Sequence, residues 1–160
     1  MIETDALFDA LERINERPTL YSRYTADALW TSPDISEMLL RFHLDGEVDV
    51  ASRRTDFIEA STAWLVSAFQ LGPGRRVIDL GCGPAQYAIH LAQRRPDIEI
   101  RGYDLSSNML ELAQRNIDQA GLSDRVVVEV GDMTAFANQA PERPGLVSGT
   151  FALHHLPTRD

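Results

Sequence analysis

Three short segments carry residue types at spacings that could do chemistry. The first is Val77-Ile78-Asp79-Leu80-Gly81-Cys82-Gly83-Pro84-Ala85, an apolar run ending in spaced glycines. Glycine has no Cβ, so at Gly81 and Gly83 the backbone can turn sharply and a ligand can approach it closely. The second is Asp104 in GYDLS, at the end of the next apolar run. An acid there can accept two hydrogen bonds from a ribose diol. The third is Gly131-Asp132-Met133. Asp132 could accept from an exocyclic adenine amine, and the Met133 backbone N–H could donate to a ring nitrogen. The plain alternative for each is a glycine or acid turn at a strand end. All three in this order are far more specific than any one.

The residues also select among ligands. A dinucleotide fingerprint reads Gly-x-Gly-x-x-Gly, but Gln86 holds the sixth position and Ala85 the fifth. Asp79 would face a pyrophosphate unfavourably. A P-loop is excluded because no Gly-Lys-Ser/Thr follows. A ligand with a cationic amine and sulfonium and no phosphate suits the site better, and S-adenosylmethionine is such a ligand.

Elements must bring these segments to one place. From Arg75 onward strands and helices alternate: strands over 76–80, 98–103, 126–130 and 146–152, helices over 84–95 and 106–120, and a weak helix over 134–140. Ser106 is placed to cap its helix and Gly121 to stop it. Such alternation implies right-handed crossovers and a parallel sheet with helices on its faces. Ligands of such sheets bind outside the carboxyl ends of the strands. Residues 1–71 read as helical. Ile2, Leu7, Leu11 and Ile14 form a loose stripe ended by Pro18. Ser32-Pro33 opens a second helix carrying Ile35, Met38, Leu39 and Phe42. A third covers 52–70, with Phe57, Ser61, Trp64, Leu65, Ala68 and Phe69 on its apolar side, and Gly72-Pro73-Gly74 ends it. The expected architecture is α/β, with a helical cap over 1–71 and a ligand-binding domain over 72–160.

The chain has 160 residues, 44% hydrophobic and 24% charged, with a formal charge of −9. That size and composition suit one globular unit with a sizeable core. The acidic balance argues against sequence-independent nucleic-acid binding, which needs clustered positive charge. It argues equally against a polybasic membrane anchor. No stretch approaches the roughly 20 apolar residues of a membrane span, and the N-terminus lacks the features of a signal peptide. A cytoplasmic protein is expected. The single cysteine, Cys82, allows no intramolecular disulfide. Its plain reading is a small residue in the turn, since no base lies at a diagnostic spacing. His154 and His155 would point to opposite faces of an extended segment, so one metal ion would not take both. Either could instead remove a proton from an acceptor. His43 and His90 have no supporting constellation. Tyr21, Tyr24 and Trp30 could line a pocket or pack the cap, and Arg53-Arg54 reads as a solvated pair unless a carboxylate meets it.

VIDLGCGPA, GYDLS and VGDM, followed by FALHHL, resemble class I S-adenosylmethionine-dependent methyltransferases over about residues 72–157. The resemblance implies a Rossmann-like, mostly parallel sheet with flanking helices. It implies that Asp79, Gly81, Cys82, Gly83 and Ala85 surround the methionine part of S-adenosylmethionine. Asp104 would hold the ribose, with Leu105 against the adenine. Asp132 and Met133 would meet the adenine edge. Phe151 and the residues after it, His154 and His155 included, would lie beside the methyl group and acceptor. Ala85 stands where many members have a third glycine. The expected acceptor is a small molecule, with no metal. The family's sheet has seven strands and four are legible here, so the sheet is expected to be incomplete at its C-terminal side. An exposed apolar edge would then favour a homodimer. Two other readings stay open: a truncated, non-catalytic cofactor-binding module, and a nicotinamide-dependent oxidoreductase.

Overall fold

The computed structural model describes residues 4–16, 19, 53–135, 144–150 and 152–153. Its helices are α1 (Thr4–Asn15), α2 (Thr55–Ala68), α3 (Gln86–Arg94) and α4 (Ser107–Gln119). Its strands are β1 (Arg76–Leu80), β2 (Glu99–Asp104), β3 (Val126–Val130) and β4 (Leu146–Ser148). The strands form one parallel sheet in the order β3-β2-β1-β4. The chain builds outward from β1 through β2 to β3, then returns to the other side of β1. β1 therefore sits where the strand order reverses, and the turn after it opens into the crevice that such reversals create.

Burial explains which runs became which strands. Apart from Arg76, every residue of β1 is buried, as expected for a central parallel strand covered on both faces. β3 lies at the edge, and Val127 and Val130 are exposed. On one face, Val77, Ile100, Val126 and Leu146 pack with Ala88, Leu91 and Ala92 of α3 and Ala113 and Ile117 of α4. Leu65 and Val66 of α2 join this core. On the other face, Ile78, Leu80 and Tyr103 form a smaller cluster with Met133.

The helix ends are fixed by specific bonds. The Ser106 hydroxyl accepts from the Met109 N–H at 3.4 Å and starts α4. Gly121, at φ 67°, ends it. There the Leu122 N–H donates to the Ile117 carbonyl and the Gly121 N–H to the Asp118 carbonyl, each at 3.0 Å, the double bond of a glycine-terminated helix. The Arg125 guanidinium donates to the Ala92 and Arg95 carbonyls at the end of α3, where a cation is favoured.

Two expectations are corrected. The apolar side of α2 is not the one read from periodicity: Phe57, Trp64 and Phe69 are exposed, whereas Ile58 and Thr62 are buried. α2 carries apolar residues around much of its circumference, so period alone does not choose the face. Leu65 and Val66, not the aromatic residues, join the core cluster that holds Ala88 and Ala92 of α3. Phe69 instead stacks edge-on against Trp64. Secondly, β4 ends at Ser148 rather than at 152. The chain leaves the sheet at Gly149 and brings the buried Ala152 back against the turn after β1. The weak helix over 134–140 opens as a turn, with the Ala135 N–H on the Asp132 carbonyl, and its remainder lies outside the described residues. So do the second N-terminal helix and Tyr21, Tyr24 and Trp30. Arg54 does meet a carboxylate, that of Asp56 at 2.6 Å, and Arg53 lies over the Phe57 ring.

The cap of α4 gives a direct test of this local logic. Ser106→Ala should cost about 1 kcal/mol, while Ser106→Thr, which keeps an uncharged acceptor, should cost less. Urea unfolding measures both.

Candidate functional site

The turn after β1 must pass from strand to helix within a few residues. It does so by placing Gly81 (φ 70°), Gly83 (φ 51°) and Ala85 (φ 65°) in the left-handed region. Ala85 bears the Cβ strain of that conformation, on the order of 1 kcal/mol. The end of β2 holds the turn in place. The Tyr103 carbonyl accepts the Gly81 N–H at 2.7 Å and the Cys82 N–H at 3.1 Å. The Gly83 N–H donates to Asp104 Oδ2 at 2.8 Å. From the other side, the Asn116 amide of α4 donates to the Pro84 carbonyl. A Cβ on Gly81 would stand 2.4 Å from the Ala152 Cβ, so that position is closed to any side chain. Cys82 is buried against Gly102, where an added Cβ would come within 2.8 Å of its Sγ. Burial pushes its thiol well above the usual range, and the Asp79 and Asp104 charges push it further. It is a packing residue, not an activated nucleophile.

Two acids converge beside this turn. Asp104 also accepts the Ser106 N–H on Oδ1 at 2.9 Å. Burial raises its pKa, and the backbone N–H bonds from Ser106, Gly83 and Leu105 oppose the rise. Asp79 is only 4% exposed. Its Oδ1 accepts the Ser148 hydroxyl of β4 at 2.8 Å. Its pKa rises to about 6, chiefly from burial, with the Asp104 charge adding to the rise and the Ser148 bond opposing it. None of the groups shifting either acid is a described cation. The arrangement is a buried acid and a half-buried one beside a backbone cradle, an electrostatic setting that favours a ligand bringing positive charge.

The other expected residues fall as follows. Gly131 ends β3, with its N–H on the Asp104 carbonyl at 3.0 Å. A Cβ there would meet the Tyr103 ring at 2.8 Å, so the third segment rests directly on the second. Asp132 turns its Oδ1 to the N–H and hydroxyl of Thr134. The Met133 methyl lies 3.4 Å from where a Gly81 Cβ would be, which brings it to the glycine turn. Leu105 is half-buried at the end of β2. Phe151, His154 and His155 lie outside the described residues. Among the described residues, no group of three or more His, Cys, Asp or Glu has the arrangement of a metal site. Sequence reasoning missed Ser148, the Tyr103 carbonyl and Gly102. Ser148 becomes visible only once β4 is known to pair with β1, where the register sets it opposite Asp79.

The buried acid has a consequence for stability. The native pKa of about 6 lies above the usual 3.8, so between those values the folded state holds more protons than the unfolded one. The stability contributed by neutral Asp79 is complete below about pH 4 and is lost as pH rises through about 6, by about 3 kcal/mol in all. Asp79→Asn removes the charge and keeps an acceptor for Ser148. It should be about 1–3 kcal/mol more stable than wild type at pH 7, with the difference shrinking toward pH 4. Urea unfolding across pH 4–8 checks this, and parallel pH profiles for the two proteins would refute it.

Comparison with known proteins places this geometry in a family. A methyltransferase-domain family model matches residues 77–160. The chain is 30% identical over 104 residues to Methyltransferase GfsG of Streptomyces halstedii, an alignment covering 64% of this chain and 36% of that protein. It is 31% identical over 74 residues to tRNA1(Val) (adenine(37)-N6)-methyltransferase of Yersinia pestis (strain Pestoides F), covering 46% of this chain and 30% of that protein. The chain thus spans about a third of the length of the curated relatives it matches. Its fold is shared with an SAM-dependent methyltransferase from Thiobacillus denitrificans solved with S-adenosyl-L-homocysteine, at TM-score 0.59 and 23% identity over 81% of this chain and 48% of that one. A second such enzyme, from Geobacter sulfurreducens, aligns at TM-score 0.58 and 23% identity over 79% of this chain and 46% of that one. With its glycine turn, its two strand-end acids and its order of strands all inside the matched region, the chain belongs to the methyltransferase-domain family.

Proposed function

We propose that this chain binds S-adenosylmethionine at the carboxyl ends of β1, β2 and β3 and serves methyl transfer to a small-molecule nucleophile. The observation that carries the reading is the buried Asp79 with the half-buried Asp104, shifted by no described cation, beside a turn of closely held backbone. A cationic ligand without phosphates relieves that pair, whereas a dinucleotide pyrophosphate would add to its repulsion. The residues present fit such a ligand. Asp104 accepts backbone N–H groups from Gly83, Ser106 and Leu105, and of the roughly four lone-pair sites on a carboxylate this leaves one for a ribose hydroxyl.

In this reading Asp104 orients the ribose and Leu105 packs against the adenine. Asp132 and Met133 meet its edge. The turn of Gly81, Cys82, Gly83 and Ala85 receives the methionine part along its backbone, and Asp79 supplies the opposing charge. Bound there, the cofactor supplies a sulfonium methyl already activated for in-line displacement. The chain contributes proximity and orientation, which can account for much of such an acceleration. Phe151, His154 and His155 complete the acceptor side, and a histidine base serves only an acceptor that must lose a proton. Residues 1–71 act as the cap. The small-molecule acceptor is supported by the net charge of −9. An RNA acceptor is the second reading, favoured by the similarity to the tRNA methyltransferase. It predicts acceptor affinity that falls steeply with salt. Pairing of two copies along β4, where Val147 is half exposed, belongs to the proposal, and sedimentation showing only monomer at tens of micromolar would remove it.

The deciding experiment is calorimetric titration of the chain with S-adenosylmethionine and, separately, NAD. Binding of the first alone is expected, and Asp104→Asn should weaken it by roughly tenfold while the chain stays folded. Unchanged affinity in that variant would end the ribose assignment. Binding of NAD alone would move the protein to the oxidoreductases.

A further inference from the structure

Ser148 has no part in the motifs that identify the family, yet its hydroxyl makes the one side-chain contact to the buried Asp79 among the described residues. It lies 2.8 Å from Asp79 Oδ1 and 3.3 Å from the Ile78 carbonyl. A hydroxyl has a single proton and can also accept, so it suits both states of the acid. Opposite ionised Asp79, it donates to the carboxylate, a charge-assisted bond and the stronger of the two. Opposite neutral Asp79, it can accept the carboxyl proton and turn its own proton to Ile78. The cross-strand register pairs these two residues directly, so the contact does not depend on a mobile side chain reaching across a gap.

We propose that Ser148 is a positioning residue for the cofactor site: from β4 it fixes the orientation and charge of the Asp79 carboxylate at the end of β1, where the amine-bearing part of S-adenosylmethionine is received. The inference rests on the proposed cofactor reading. β1 lies between β2 and β4, and the described ionisable groups acting with Asp79 are Asp104 on β2 and Cys82 in the turn. Both oppose its ionisation or are themselves held neutral by it. Ser148 alone favours the anion. A cationic ligand binds the anion better than the neutral acid, so the hydroxyl widens the pH range over which the site is ready.

The test has two arms, run on wild type, Ser148→Ala and Ser148→Thr. In the first, the affinity for S-adenosylmethionine is measured from pH 5 to 8.5. Ser148→Ala should match wild type at the alkaline end and fall progressively behind below pH 7. The loss should reach about tenfold near pH 5, as for a midpoint raised by about one pH unit. Ser148→Thr, which keeps the hydroxyl, should restore the wild-type profile. In the second, unfolding of the cofactor-free proteins is followed across the same pH range. The range over which stability falls with rising pH should extend upward in Ser148→Ala and return in Ser148→Thr. A uniform loss of affinity at every pH, or an unmoved stability profile, would overturn the role of Ser148. Failure of wild type to bind S-adenosylmethionine at any pH would instead overturn the cofactor reading, while the second arm still decides whether Ser148 governs Asp79.

Discussion

The end of β2 is the joint on which the site is built. The Tyr103 carbonyl and the Asp104 carboxylate between them take three successive N–H groups, those of Gly81, Cys82 and Gly83. The Asp104 carbonyl takes a fourth, from Gly131 at the end of β3. A turn in left-handed backbone cannot use the regular bonds of strand or helix, and buried N–H groups left without partners would cost more than the turn could bear. The neighbouring strand supplies those partners. It also explains why this turn and this acid occur together. Asp104 holds the backbone cradle with a carboxylate that also adds to the charge beside Asp79, so the shape of the cradle and part of the charge around it come from one residue.

The electrostatics run against stability and in favour of binding. Burying Asp79 without a cation is unfavourable, and placing a second acid nearby increases the penalty. A protein selected only for folding would have an apolar or amide side chain there. The fold tolerates the acid because β1 is anchored on both faces, with Val77 in one core cluster and Ile78 and Leu80 in the other. The destabilisation is local, and a ligand bearing positive charge removes it. In the proposed cofactor reading the same feature would give selectivity, since a phosphate-bearing ligand would meet uncompensated anions.

The shape of the turn is legible in the sequence, because spaced glycines suit the positive φ found at Gly81 and Gly83, and Asp104 stands at the end of β2 as its place after an apolar run implies. The strands over 76–80 and 126–130 were equally plain as apolar runs between turns. What sequence could not convey was pairing. The apolar side of α2 is not readable from period, because Phe57, Trp64 and Phe69 suggest a face that the structure leaves exposed while Ile58 and Thr62 are buried. β4 was read too long because its apolar pattern continues past Ser148, whereas the chain turns there to set Ala152 against Gly81. Ser148 went unseen for the same reason, since a serine in a strand has no meaning until its cross-strand partner is known.

The strand order turns these separate observations into one device. With β1 central, its loop is reached from two sides: β2 supplies backbone acceptors and a carboxylate, and β4 supplies a hydroxyl. β3 contributes indirectly, through Gly131 resting on Tyr103. Had the chain added β4 beyond β3 instead of returning past β1, Asp79 would have lost its neutral donor and the turn would have lost Ala152 as its floor. Reversal of strand order opens the crevice, and here the returning strand also supplies the hydroxyl that meets the buried acid. The loop motif is therefore half of the site, and the strand that comes back beside it is the other half.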